Sequence, residues 1–281
     1  MKKISRLIFG IIIINISFSA INVVTTLVPL KGFVEKIAGE LVQVSSLIPK
    51  GANVHSYEPT PRQLQKVANA KLLVKLGADF QFEKIWLPKL LNLNPQLIVC
   101  DSSDGIDLIK ASNSHDDHHH HSGADPHIWL SPENAIKMVQ SITDALIKMD
   151  TEHKHEYLEN SNGFINQILE MHQDLLRWRQ TSTSNSFLVF HPAWSYFAHA
   201  YDLEQHAIET DGKEPRPRQL MSIIKEARSE KIKTIFIEPQ YSKKAALTIA
   251  REIDATVVQI DPLAVDYIKN MKEVAIAIFE K

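Results

Sequence analysis

Between residues 151 and 180 the chain has a single glycine, Gly163, and no proline. Tyr157, Leu158, Phe164, Ile165, Ile168, Leu169, Leu175, Leu176 and Trp178 recur through it at helical spacing. The pattern predicts one uninterrupted helix, about 45 Å long at 1.5 Å per residue. A helix of that length is longer than a small layered domain needs and suits a rigid connection between two lobes. The polar run Thr181-Ser-Thr-Ser-Asn185 ends it.

On both sides of this helix, short apolar runs alternate with amphipathic segments. Before it, residues 22–28, 41–48, 71–76 and 97–101 read as strands. Residues 31–39 read as a helix closed by Gly39, and Thr60-Pro61 opens another with a hydroxyl cap and a proline in the first turn. Ser131-Pro132-Glu133-Asn134 starts a further helix, expected to run to about Met149. After the long helix, residues 186–190, 233–237 and 255–260 read as strands. Residues 193–201, 217–230, 242–253 and 264–279 read as helices. Strands alternating with helices imply parallel sheets. The expected fold is therefore α/β: two lobes with parallel sheets flanked by helices, joined by one long rigid helix. The expected division is an export segment at 1–20, a first lobe at 21–150, a linking helix at 151–180 and a second lobe at 181–281.

The export segment is read from Lys2, Lys3 and Arg6, the apolar run 7–18, and the small residues Ser17, Ser19 and Ala20. The run is shorter than the ~20 apolar residues a spanning helix needs and is interrupted by Asn15; an uncleaved anchor is the competing reading. Cys100 is the only cysteine. It rules out an intramolecular disulfide, sits in a strand-like run where core packing is its expected role, and leaves no cysteine for an N-terminal lipid anchor. The expected location is the periplasm. A net charge of -2 without a basic stripe argues against a nucleic-acid partner.

Histidine is the unusual component. There are 13, five of them between His115 and His121, in a polar stretch (113–125) read as a loop. Four other loops each follow an apolar run and offer a metal-ligand residue: His55 in Asn53-Val-His-Ser-Tyr-Glu-Pro, His127 in Asp125-Pro-His-Ile-Trp-Leu-Ser-Pro, His191 in Phe190-His-Pro-Ala-Trp, and Asp261 in Ile260-Asp-Pro-Leu. Two fall in each predicted lobe. Ligands of open α/β sheets gather beyond the carboxyl ends of the strands, so facing lobes would bring the four loops to one cleft. Three imidazoles and a carboxylate form a closed four-ligand set of the kind zinc takes. Each histidine alone is also explained as a hydrogen-bonded structural residue, and Asp261 as a turn or helix cap.

These segments resemble the marker segments of the zinc- and manganese-binding substrate-binding proteins of ABC transporters, the zinc-uptake protein family. The resemblance extends to Phe236-Ile-Glu-Pro-Gln-Tyr241 and the long helix. It implies a monomer that binds one ion between two α/β lobes and delivers it to an inner-membrane ABC permease with a cytoplasmic ATPase. It places the ligands on His55, His127, His191 and Asp261. Manganese-selective relatives tend to carry a carboxylate where His191 stands; imidazole suits zinc and oxygen suits manganese. Zn²⁺ is therefore the expected cargo, with Mn²⁺ the alternative. Val54 stands where some relatives carry an acidic residue, which favours Asp261 as the fourth ligand. The 115–121 run resembles the metal-rich loop of zinc-specific members, and its expected role is to collect metal weakly.

A zinc hydrolase is the competing class. It is disfavoured because four protein ligands leave no position for water and no His-Glu-x-x-His or Gly-x-Ser-x-Gly motif is present. Glu58 and Glu238 are expected to support the ligands, and Trp129 and Trp194 to shield the site or pack in the core. His153, His155 and His172 are expected on exposed faces of the long helix, and His199 and His206 in packing or surface roles.

Overall fold

The computed structural model describes residues 20–54, 56–110, 123–209, 215–241 and 243–280. His55, most of the histidine-rich stretch and all but the last residue of the expected export segment lie outside the described residues. The first lobe comprises β1 (Ile21–Thr25), α1 (Val28–Ala38), β2 (Val42–Ser46), α2 (Pro61–Ala68), β3 (Leu72–Lys75), α3 (Gln81–Leu93), β4 (Ile98–Asp101) and α4 (Pro132–Met149). The long helix is α5 (Lys154–Thr181). The second lobe comprises β5 (Ser186–Val189), α6 (Ser195–Ala200), β6 (Glu204–Ala207), α7 (Pro217–Ser229), β7 (Thr234–Ile237), α8 (Lys243–Ile253), β8 (Thr256–Gln259) and α9 (Tyr267–Phe279).

Each lobe has a four-stranded parallel sheet, and the two share one topology: β2-β1-β3-β4 and β6-β5-β7-β8. In each, the chain steps outward from the first strand and then returns to its other side. The crevice for a ligand therefore opens between β1 and β3 in one lobe and between β5 and β7 in the other.

Local chemistry explains most element boundaries. Thr60 caps α2 in a reciprocal box: its hydroxyl accepts from the Gln63 amide at 3.4 Å, and Gln63 Oε1 accepts from the Thr60 amide at 2.9 Å. Ser131 caps α4 by accepting from the Asn134 amide at 3.4 Å. Three elements differ from expectation. Helix α1 begins at Val28 rather than Lys31, because Pro29 occupies its first turn, where a missing N–H costs nothing. Helix α3 was not anticipated; Pro88 lies inside it and obscures the helical pattern. Strand β6 is a polar edge strand, Glu-Gln-His-Ala, with none of the β-branched residues that announce a strand.

Helix α5, about 42 Å long for its 28 residues, is packed along its length. Phe33 of α1 meets Phe164 of α5 edge-on at 5.5 Å and Tyr267 of α9 at 5.2 Å. The last helix of the chain thus returns to the first lobe, and one continuous core joins α1, α4, α5 and α9. Gly32 permits a close approach of α1 to the segment before α9: a Cβ there would lie 2.3 Å from the Val265 carbonyl oxygen. His172 departs from expectation. It is half-buried against the second lobe, its Nδ1 sharing a 2.9 Å hydrogen bond with the Tyr201 hydroxyl, whereas His155 is exposed.

Candidate metal site

His127 and His191 approach each other across the two lobes, their ring centroids 5.2 Å apart. Both are buried, with 8% and 7% of their surface exposed. Each ring is fixed by a buried carboxylate on Nδ1. Asp125 Oδ1 lies 2.7 Å from His127 Nδ1 and also accepts from the His127 amide at 2.9 Å. Glu209 Oε1 lies 2.5 Å from His191 Nδ1. A carboxylate at Nδ1 holds the proton there and leaves the Nε2 lone pair free for a metal ion. Burial lowers the His191 pKa, with His127 adding to the effect and Glu209 opposing it, so the ring is kept neutral as coordination requires. Burial alone would raise the Asp125 pKa, but the charge and hydrogen bonds of His127 hold it below the ordinary carboxylate range.

The sheet topology delivers these groups. His191, Glu209, Glu238 and Asp261 stand just beyond the carboxyl ends of β5, β6, β7 and β8. The Ile208 amide bonds Val189 O, and the Glu209 amide bonds Phe190 O. This continuation of the β5–β6 pairing sets Glu209 beside His191. On the other lobe, His127 precedes a 3-10 turn (Ile128–Leu130) that leads into Ser131 and α4. Trp129 of that turn closes the gap between lobes, its indole N–H donating to Pro262 O at 2.8 Å. Tyr196 makes a second bridge: its hydroxyl donates to Asp125 O and accepts from the Ile109 amide, both at 3.0 Å.

The two histidines line a small cavity of about 30 Å³. Its walls are largely apolar: Leu27, Val54, Leu76, Phe80, Trp129 and Leu263 among them. Tyr241 stacks on His191 at 5.2 Å and 27°. Two polar groups reach the cavity from the second lobe. Glu238 accepts from the His191 amide at 3.4 Å through Oε2, while its Oε1 has no partner among the described residues. Burial pushes the Glu238 pKa up to about 8, so this carboxyl carries a proton at neutral pH. Among the described residues, Gln240 has both amide atoms buried without a partner. The buried Trp194 indole faces Glu238 but makes no bond of full geometry.

Of the four ligands expected, the structure brings His127 and His191 together. His55 lies outside the described residues; Asn53 and Val54 of its loop line the cavity. Asp261 stands at the end of β8 next to the wall residues Pro262 and Leu263. Its Oδ1 accepts from the Leu263 amide at 2.9 Å, and its carbonyl accepts from Asn270 Nδ2 at 2.8 Å. Among the described residues no group of three histidine, cysteine or acidic side chains gathers closely enough to hold an ion. Glu58 is exposed. The loop before α2 is tied instead by Tyr57, whose hydroxyl donates to Gln63 Oε1 at 2.9 Å, and by Gln63 Nε2 on Leu47 O at 2.6 Å. Asp125 could have been found from its place two residues before His127. Glu209 had no local signal, being 18 residues from its partner.

A family model described as ZnuA, zinc-uptake complex component A periplasmic, matches residues 23–280. The chain is 30% identical over 245 residues to the high-affinity zinc uptake system protein ZnuA of Bacillus subtilis (strain 168), covering 84% of this chain and 76% of that one. It is 28% identical over 253 residues to the zinc-binding lipoprotein AdcA of Streptococcus pneumoniae (strain ATCC BAA-255 / R6), covering 86% of this chain. It spans about half, 50%, of the length of that relative. Among solved structures, a crystal structure of ZnuA superposes with a TM-score of 0.87 at 35% identity, covering 93% of this chain and 99% of the other. The laminin-binding adhesin Lmb of Streptococcus agalactiae, in a mutant structure, gives 0.82 at 25% identity, covering 93% and 99%.

Proposed function

Because the chain belongs to the zinc-uptake complex component A family, we propose that it is an exported binding protein that captures Zn²⁺ between its lobes and delivers it to a membrane ABC permease driven by a cytoplasmic ATPase. The observation that carries this reading is the pair His127 and His191, one from each lobe, each with a buried carboxylate on Nδ1. That arrangement orients two imidazoles, and they meet at one small cavity. His55 and Asp261 complete the proposed set of four. Asp261 must give its carboxylate a free oxygen, and Oδ2 is available while Oδ1 holds the Leu263 amide.

Zinc is favoured over manganese by the imidazole at position 191. A closed four-ligand set gives no open position for hydrolytic chemistry, so the role is transport rather than catalysis. Export by residues 1–20 to the periplasm, action as a monomer, and metal collection by the 115–121 histidines belong to the same proposal. The described helices include none long and apolar enough to cross a membrane.

Calorimetric titration against a competing chelator tests the site. One tightly held Zn²⁺ per chain is expected, and His127→Ala and His191→Ala should each lower affinity by orders of magnitude. Unchanged affinity in both variants would overturn the assignment. Metal analysis of protein isolated from its native compartment separates zinc from manganese.

A further inference from the structure

Away from the metal site, the first lobe carries a polar groove at the open edge of its sheet. Parallel sheets are usually apolar on both faces, because helices cover both. Here Asn22 and Val24 of β1 lie in register with Gln43 and Ser45 of β2, and three of the four are polar. Helix α2 passes over this surface without filling it; Val67 is its only buried residue. Between helix and strands remains a cavity of about 240 Å³, eight times the volume of the metal cavity.

The lining has one electrostatic sign. Arg62 and Lys66, one helical turn apart on α2, border the groove with Gln65 and Asn69. Among the described residues no acidic side chain lines it, and neither the Arg62 nor the Lys66 side chain makes an ion pair or hydrogen bond. Asn22 and Asn69 are braced across the rim, Asn22 Nδ2 donating to Asn69 O at 3.4 Å and Asn69 Nδ2 to Gln65 O at 3.0 Å. Gln43, Ser45 and Gln65 add hydrogen-bonding groups for a ligand's oxygens.

We propose that this groove binds a small di- or tricarboxylate anion, held by Arg62 and Lys66 and oriented by the side chains of Gln43, Ser45 and Gln65. Two cations with amide donors are oxyanion chemistry. Size selects among oxyanions: a groove of about 240 Å³ is more than a single phosphate fills. The site is separate from the metal cavity and does not depend on the zinc reading.

The test is a nuclear magnetic resonance titration of the full mature chain, metal-free, with succinate and with inorganic phosphate at constant ionic strength. Succinate should shift the side-chain amide signals of Asn22, Gln43 and Asn69 saturably at millimolar concentration, and phosphate should do so more weakly. The double variant Arg62→Gln/Lys66→Gln should weaken succinate binding by roughly tenfold or more, the loss of charge-assisted hydrogen bonds. Its zinc affinity should match the parent and so report an intact fold. Absence of a saturable shift, equal binding by the double variant, or displacement by sodium chloride at matched ionic strength would each overturn the proposal. Tighter binding of phosphate than of succinate would overturn the dicarboxylate assignment.

Discussion

The indole N–H of Trp129 reaches from the first lobe to the carbonyl oxygen of Pro262 in the second, at 2.8 Å, and it does so in the wall of the metal cavity. One hydrogen bond therefore both latches the lobes and seals the site. Trp129→Phe keeps an aromatic ring but loses the donor. Leaving the Pro262 carbonyl unpaired should destabilise the protein by about 1–2 kcal/mol. The rate of zinc release to a fluorescent chelator in stopped flow should rise. An unchanged release rate would show that the latch does not gate the ion.

Glu209 lies against Nδ1 of His191, a ligand of the proposed site. Glu209→Gln preserves shape but removes the charge that holds the proton on Nδ1. Loss of such a partner costs about 10- to 100-fold in metal affinity, and a loss in that range is expected in chelator competition. Asp125→Asn should behave alike on His127. A wild-type affinity in both variants would mean the rings are oriented by packing alone.

His191→Glu should move selectivity toward manganese, since it replaces an imidazole with oxygen. The ratio of zinc to manganese affinity, measured on one preparation, should fall. A ratio that holds constant would place selectivity elsewhere in the cavity.

Among the described residues, Gln240 is an amide buried at both ends without a partner. Exchange for an apolar side chain of similar size removes that penalty. Gln240→Leu should raise the urea midpoint of the metal-free protein by the equivalent of about 1 kcal/mol, with the slope unchanged. A destabilised variant would show that the amide is satisfied in solution.

His172 supplies a pH dependence at the junction of α5 with the second lobe. Burial lowers its pKa, opposed in part by Glu133. The unfolded chain therefore binds a proton before the folded one does. The associated stability is present above the unfolded value, about 6.5, and is lost as pH falls from there through the folded value. His172→Gln should flatten the thermal midpoint profile of metal-free protein over that interval.

The parts of this molecule legible in the sequence are those with local causes. The caps at Thr60 and Ser131, the apolar strand runs and the long α5 pattern all arise from neighbours a few residues apart. The loops of His191 and Asp261 could be located because each follows such a strand. What escaped notice depends on distant pairing or on conflicting local signals. Strand β6 looks polar because it lies at a sheet edge, and Glu209, carried at its end, has meaning only through β5. Proline inside α3 argued against a helix that tertiary packing sustains. His172 appeared exposed because nothing near it announces that α6 will cover it with Tyr201.

The second sheet divides its side chains between two cores. Phe187, Val189 and Phe236 face the large core that runs through α5, while Leu188, Ile235 and Ile237 face a smaller one beneath α7 and α8. Phe190, Ile208 and Ile237, the residues immediately before His191, Glu209 and Glu238, all belong to the smaller core. Its opening as one cooperative unit, visible as an early tier of amide hydrogen exchange, would loosen the roots of all three site residues at once while His127 stayed anchored in the larger core. Release of the ion can therefore be coupled to melting of an outer layer, with no swing of one lobe away from the other.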